Sequence, residues 1–260
     1  MSINLLDYFL ATQLSAVTIL FLRISSAIMV LPGFGEMYVP PRIRLLFALV
    51  FSILLTPLMQ SQVPALPASP MALIVLLLAE VSVGVFMGLI ARTVLMTLHV
   101  AGNIIAAQSS LAVASIFDPA SGQQSPVVSN LLSLAAITLF FTLDLHHLVL
   151  VALVQSYDVF PVGVFPQMQD MNILHLRLVA DAFALGVGLS APFIVFSLLF
   201  YLAGGLMTRL MPNFQIFFVM MSPQIMIAFF LMLALIPTIL SVYANFMETQ
   251  YMNFVAGGGA

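Results

Sequence analysis

An all-helical, membrane-class protein is the fold this sequence predicts, and three observations predict it. Of its 260 residues, 63% are hydrophobic and 6% charged, against roughly 25% charged in an ordinary soluble domain. The apolar residues gather into about six blocks, at 5–31, 42–59, 71–112, 126–157, 172–210 and 223–248, separated by turns rich in proline, glycine and polar residues. Backbone groups in hydrocarbon must be satisfied within a helix or a closed barrel. These blocks are too long and too evenly apolar for the roughly ten-residue alternating strands of a barrel.

Taken in order, the first, second and sixth blocks suit the roughly 20 residues with which a helix crosses a ~30 Å hydrocarbon core. The third is about twice that length. Long blocks are therefore either broken helical hairpins or helices that reach beyond the bilayer into a protein partner. Pro57, Pro192 and Pro237 lie inside or at the ends of apolar stretches, where each removes a backbone donor and tends to kink or stop a helix. Gly84 with Gly88, and Gly186 with Gly188, put small residues at helix-contact positions.

Several helices carry polar groups that lipid penalises: Arg23, Glu80, Arg92, His99, Asn103, Gln108 and Asp181. A charge near the bilayer centre costs at least about 2.5–3.5 kcal/mol, so these groups are expected to face protein or water. The 17 methionines, clustered at Met207, Met211, Met220, Met221 and Met226, and the absence of tryptophan fit deformable protein contacts better than two lipid interfaces marked by aromatic belts. Arg42, Arg44 and Arg209 fall in connections of one parity and Arg177 in the other, a poor charge asymmetry for a simple serpentine. The chain reads as a subunit of an assembly.

Composition also excludes functions. Six arginines, no lysine and a net charge of -3 leave no basic surface for nucleic acid. Without cysteine there is no disulfide framework and no thiolate metal site. The N-terminal "MSINLLDYFLATQ" has no basic region ahead of its apolar run, so no cleaved signal peptide is expected.

Catalytic patterns are equally thin. His146 and His147 are neighbours whose side chains are not expected to share one helix face, and His99 and His175 stand alone; no metal site and no cofactor are expected. The serines of "SGQQS" lack a nucleophile setting. As carboxylates for a proton relay, Asp144 and Asp181 have no second carboxylate three or four residues further along, and they read as a helix cap and an interhelix hydrogen bond. A secondary transporter using Asp144 or Asp181 as its proton site is an alternative, as is an intramembrane enzyme. The latter needs a paired nucleophile and base.

One passage interrupts the hydrocarbon, "SSLAVASIFDPASGQQSP" at 109–126, small and polar around one aromatic. It belongs to an ordered series: "RISSAIMVLPGFGEMYVPPRIRLLFAL" followed by Pro57, then Glu80 with Gly84, "AGNIIAAQ", "FDPASGQQSP", His146 with "FPVG", and "GLMTRLMPNFQIFFVMMSP". In order and spacing this series resembles the FliR family of type III export-gate subunits, R-type in flagella and T-type in injectisomes. Arg23, Pro32, Phe34, Gly35, Pro40 and Arg44 take matching positions, and the similarity runs from Arg23 to about Pro223. Three places depart from the family pattern. Pro212-Asn213 stands for Pro-Gln, serines and alanines stand for a glycine before the aromatic, and Asp144-Leu145-His146 stands for Asn-Gly-His.

The resemblance implies a non-enzymatic subunit, one copy per gate, that joins P-type and Q-type subunits in a helical export gate. A P-like part at about 1–170 would be followed by a Q-like helical hairpin at about 171–260. It implies the bacterial inner membrane and the flagellar basal body, with injectisome export as the alternative. A switch-type export subunit would lie on the cytoplasmic side, and unfolded exported proteins would pass through. Under the same resemblance 109–126 is a plug loop with Ile116, Phe117, Asp118, Pro119 and Gly122 as gating residues and Phe117 as the occluding group. Proline fixes its own dihedral and restrains the residue before it, so Asp118-Pro119 makes a stiff turn. Subunit contacts are expected at Arg23, Arg44, Glu80, Arg209, Pro212, Phe217, Met220 and Met221.

Overall fold

Helix α1 (Leu5–Val30) buries Ala16, Ile19, Leu20, Arg23, Ile24, Ala27 and Ile28, the three-and-four spacing of a helix with one protein-facing side. The computed structural model describes residues 5–60, 62–64, 66–67, 69–112, 127–165, 168–211 and 216–255. Among the described residues there are seven helices and no strand: after α1 come α2 (Pro41–Met59), α3 (Pro70–Gln108), α4 (Val127–Thr142), α5 (Leu145–Val159), α6 (Met168–Leu210) and α7 (Ile216–Val255). Five are long and apolar enough to cross a membrane, and α4 with α5 counts as a sixth if taken as one span.

The long blocks turn out to be unbroken. Helix α3 has 39 residues, α6 has 43 and α7 has 40, about 58, 64 and 60 Å at 1.5 Å per residue. Prolines do not stop them: Pro57 lies inside α2, Pro192 inside α6, and Pro223 and Pro237 inside α7. In an apolar setting no water competes for the remaining helical bonds, so the helix continues past the lost donor.

The break falls instead in the 126–157 block. Asp144 adopts a left-handed conformation, φ 55°, which an L-residue does not carry into a right-handed helix. The expected helix-cap role of Asp144 is corrected in part. It occupies the N-cap position of α5, but its side chain makes no capping hydrogen bond.

The chain forms two compact units. The first comprises Met1–Thr93, Asp144–Leu178 and Gln250–Ala260; the second comprises Val94–Leu143 and Val179–Thr249.

In the first unit, α3 lies against α1 through two glycines. A Cβ on Gly84 would collide with Arg23 O and Ser26 Oγ, and one on Gly88 with Ala27 O and Val30 Cβ. The small-residue spacing therefore marks a helix contact. The turn after α1 depends on Gly33, whose φ of 79° is open to glycine at no steric cost. Tyr251 Oη donates to Ala91 O at 2.8 Å.

In the second unit, Gly102 brings α3 onto the backbone of Ser129 in α4, and Gly186 brings α6 onto Thr97 O and Val100 of α3. Gly188 meets nothing, so only the first glycine of "GVG" is a contact. Tyr243, fully buried, donates to Val94 O at 3.2 Å.

Candidate functional site

A buried ion pair organises the first unit. Arg23 and Glu80 are each 1% exposed. Arg23 donates from Nε to Glu80 Oε2 at 2.7 Å and from Nη2 to Oε1 at 3.0 Å, the two-pronged geometry that suits a guanidinium to a carboxylate. Nη1 donates to Ser156 Oγ at 3.2 Å and Nη2 to Phe160 O at 2.9 Å. The Tyr157 ring lies 4.0 Å from the guanidinium carbon, where its negative face attracts the cation. The backbone N–H of Gly163 reaches Glu80 Oε1 at 3.4 Å. Desolvating two charges is expensive unless both are paired and their remaining groups bonded, and here both conditions hold. The pair joins α1, α3, the end of α5 and the "FPVG" segment.

A second tie closes the turn after α1. Arg44 donates from Nε to Val39 O at 3.0 Å and from Nη2 to Glu36 O. Arg92 approaches the Glu36 carboxylate at 3.9 Å and donates to Val30 O at 3.4 Å. Partial burial and the Glu36 charge both hold the phenol of Tyr38 above its usual range, because each opposes a phenolate.

In the second unit, the polar groups converge where α3 ends. Gln224, 3% exposed, donates from Nε2 to Gln108 O at 2.9 Å and toward Tyr201 Oη at 3.4 Å, and Ser197 Oγ donates to the Gln108 side-chain carbonyl. The last carbonyls of a helix have no partner within it; a distant glutamine supplies one here. Ser110 then turns left-handed, φ 59°, ending the helix in the manner usually given to glycine. The point at which 109–126 departs is thus held by Gln108, Ser197, Tyr201 and Gln224. Beside it a cavity of about 190 Å³ is lined by Ser110, Phe200, Gly204, Met220 and Met221 among others. Gln224→Leu should cost about 1–3 kcal/mol by leaving the Gln108 carbonyl without its donor. Thermal unfolding of the detergent-solubilised chain measures it, and an unchanged Tm would remove the capping role.

Of the residues read from sequence as site residues, Arg23 and Glu80 meet each other inside this chain, and Arg44 fastens its own loop. Arg209 is exposed in the last turn of α6, where the helix dipole favours a cation. Met220 and Met221 are half-buried. Phe217 falls in the first turn of α7, its side chain outside the described residues, as are Pro212 and the segment holding Ile116, Phe117, Asp118, Pro119 and Gly122. His99 accepts or donates a 3.0 Å bond with Ser133 Oγ, whereas Asp181 is exposed on this chain rather than turned toward its protein.

Sequence reasoning missed Ser156 and Tyr157 around the ion pair, where it had read Gly163 only as part of "FPVG", and Ser197, Tyr201 and Gln224 around the end of α3. Only Gln224 had a readable signal, a lone amide in an apolar helix. It also kept His146 and His147 apart, yet their ring centroids are 4.1 Å apart. Both lie in the first turn of α5, where no preceding helical turn blocks their rotamers.

Residues 14–250 match the family described as bacterial export proteins, family 1. The flagellar biosynthetic protein FliR of Caulobacter vibrioides is 40% identical over 209 residues, 80% of this chain and 83% of that one. FliR of Bacillus subtilis is 27% identical over 235 residues, 88% and 89% of the two chains, and FliR of Escherichia coli 27% over 237 residues, 90% and 89%. With nearly its whole length matched, and with the Arg23 stretch, Glu80 and "FPVG" meeting at one buried ion pair, the chain belongs to the bacterial export proteins of family 1, the family of flagellar biosynthetic protein FliR.

Proposed function

We propose that the protein is a structural and gating subunit of the flagellar type III export apparatus that helps to form and seal the export pore. The family match over residues 14–250 carries this reading, and the relatives named above carry the flagellar name, which favours flagellar over injectisome cargo. Helix length supports assembly into a larger body. A 60 Å helix confined to a 30 Å hydrocarbon layer needs a tilt of about 60°, beyond the 0–40° that membrane helices adopt. Only 11% of the Val219–Asn253 span is buried by its own chain. Protein partners cover what lipid does not reach.

In this reading the chain occupies the bacterial inner membrane at the flagellar basal body. Residues 1–170 form the P-like part and 171–260 the Q-like hairpin, beside P-type and Q-type subunits and a switch-type subunit. Arg209, Pro212, Phe217, Met220 and Met221 make subunit contacts. The 109–126 stretch is the plug, with Ile116, Asp118, Pro119 and Gly122 shaping it and Phe117 filling the lumen, and the Gln108–Gln224 network gives it a fixed root. Unfolded export substrates displace it.

The test is membrane leak. Phe117→Gly, or deletion of 113–124, should leave assembly with partner subunits intact while ions or a small dye pass the resting gate. An aromatic side chain buries 150–250 Å², and a dry constriction that loses one can hydrate and conduct. Normal impermeability with normal assembly would make the stretch a plain connector.

A further inference from the structure

We propose that Asp144, His146 and His147 form a binding site for a divalent transition metal, zinc in the first place, at the start of α5. One ligand atom from each of the three lies within 4.8 Å of the other two. Asp144 Oδ1 and His147 Nδ1 are 3.7 Å apart, too far for a direct hydrogen bond. That separation is close to the roughly 3.4 Å between donor atoms that tetrahedral coordination at about 2.0–2.1 Å sets. Asp144 and His147 are 78% and 69% exposed, so small side-chain rotations bring the three donors onto one ion without disturbing a packed core.

A second observation concerns where the Asp144 carboxylate goes. An aspartate at an N-cap position ordinarily accepts from an N–H of the first helical turn. Asp144 does not. Its left-handed backbone, φ 55° and ψ 19°, leaves the carboxylate facing the His147 ring instead. The two imidazoles, with centroids 4.1 Å apart, complete the set. The three ligands come from four consecutive residues, so a bound ion would clamp this turn.

Donor chemistry selects the ion. Two imidazoles and one carboxylate suit zinc, nickel, cobalt or copper, whereas magnesium and calcium prefer all-oxygen shells. Three protein ligands leave a fourth position to water, as in open zinc sites.

The experiment uses the full chain, purified in detergent on a histidine-free tag and stripped with a chelator, then titrated with zinc against a chromogenic zinc indicator. One equivalent of zinc per chain is expected, with Asp144→Asn, His146→Ala and His147→Ala each weakening binding at least about 10-fold. Cobalt should give visible absorption bands of a low-symmetry four-coordinate site, lost in the same variants. Zinc bound equally by the triple variant, or no binding by the intact chain, overturns the proposal. Should His146→Ala perturb folding, judged by size-exclusion profile and helical content, the exposed Asp144 and His147 variants decide the matter. The site stands apart from the export reading, since it needs no partner subunit.

Discussion

Replacing Glu80 with Ala is expected to cost about 3–5 kcal/mol, because the Arg23 guanidinium stays charged and buried after losing both carboxylate acceptors. Stabilities of whole domains are only about 5–15 kcal/mol, so the variant should accumulate poorly and elute largely aggregated from size exclusion in detergent. The pair's net worth is a different quantity from the cost of breaking it. Replacing both charges with apolar residues of similar volume is often neutral or stabilising, so Arg23→Met with Glu80→Leu should recover most of the lost Tm. An unchanged Tm in Glu80→Ala would mean that the guanidinium finds water. A double variant as damaged as the single would mean that Ser156, Phe160 and Gly163 need the charges to hold their segment in place.

Gly84→Leu should come next in severity. Even a Cβ at this position meets the backbone oxygen of Arg23 and the Ser26 hydroxyl, and a backbone atom does not yield as a flexible side chain does. Overpacking costs typically about 1–3 kcal/mol and sometimes more. Here the cost is compounded by position. Glu80 and Gly84 stand four residues apart on one face of α3, so pushing α1 outward also pulls Arg23 from its carboxylate. Coupling is measurable as a double-mutant cycle. Gly84→Leu should cost less in the Arg23→Met, Glu80→Leu background than in the native one, by thermal unfolding of each. Equal penalties would show that the glycine contact and the ion pair act independently.

The sequence by itself determined the class and most of the periodic structure. Apolar blocks of helical length admit no other fold in hydrocarbon, since backbone groups there must be satisfied within the segment. The helical length of the first block and the small residues at Gly84 and Gly88 were legible for the same local reason. The ordered motifs were also sufficient to recognise the family. Polar residues in apolar helices announced that they would be protected, and Arg23 and Glu80 are.

What the sequence did not decide is which polar group meets which. Arg23 lies 57 residues from Glu80 and 133 from Ser156, and a repeat of 3.6 residues reports the face a side chain occupies, not the helix opposite it. Proline was misleading because its local tendency to stop a helix is weaker than the penalty for unsatisfied backbone in an apolar setting. The left-handed turn at Asp144 was hidden inside an apolar run without glycine. That turn allows His146 and His147 to approach each other, which no count of residues along a regular helix foresees, whereas the three-residue spacing of Asp144 and His147 is one that a helical turn already brings near. Pairing partners and turn geometry are properties of surfaces brought together in three dimensions, and only the tertiary structure decided them.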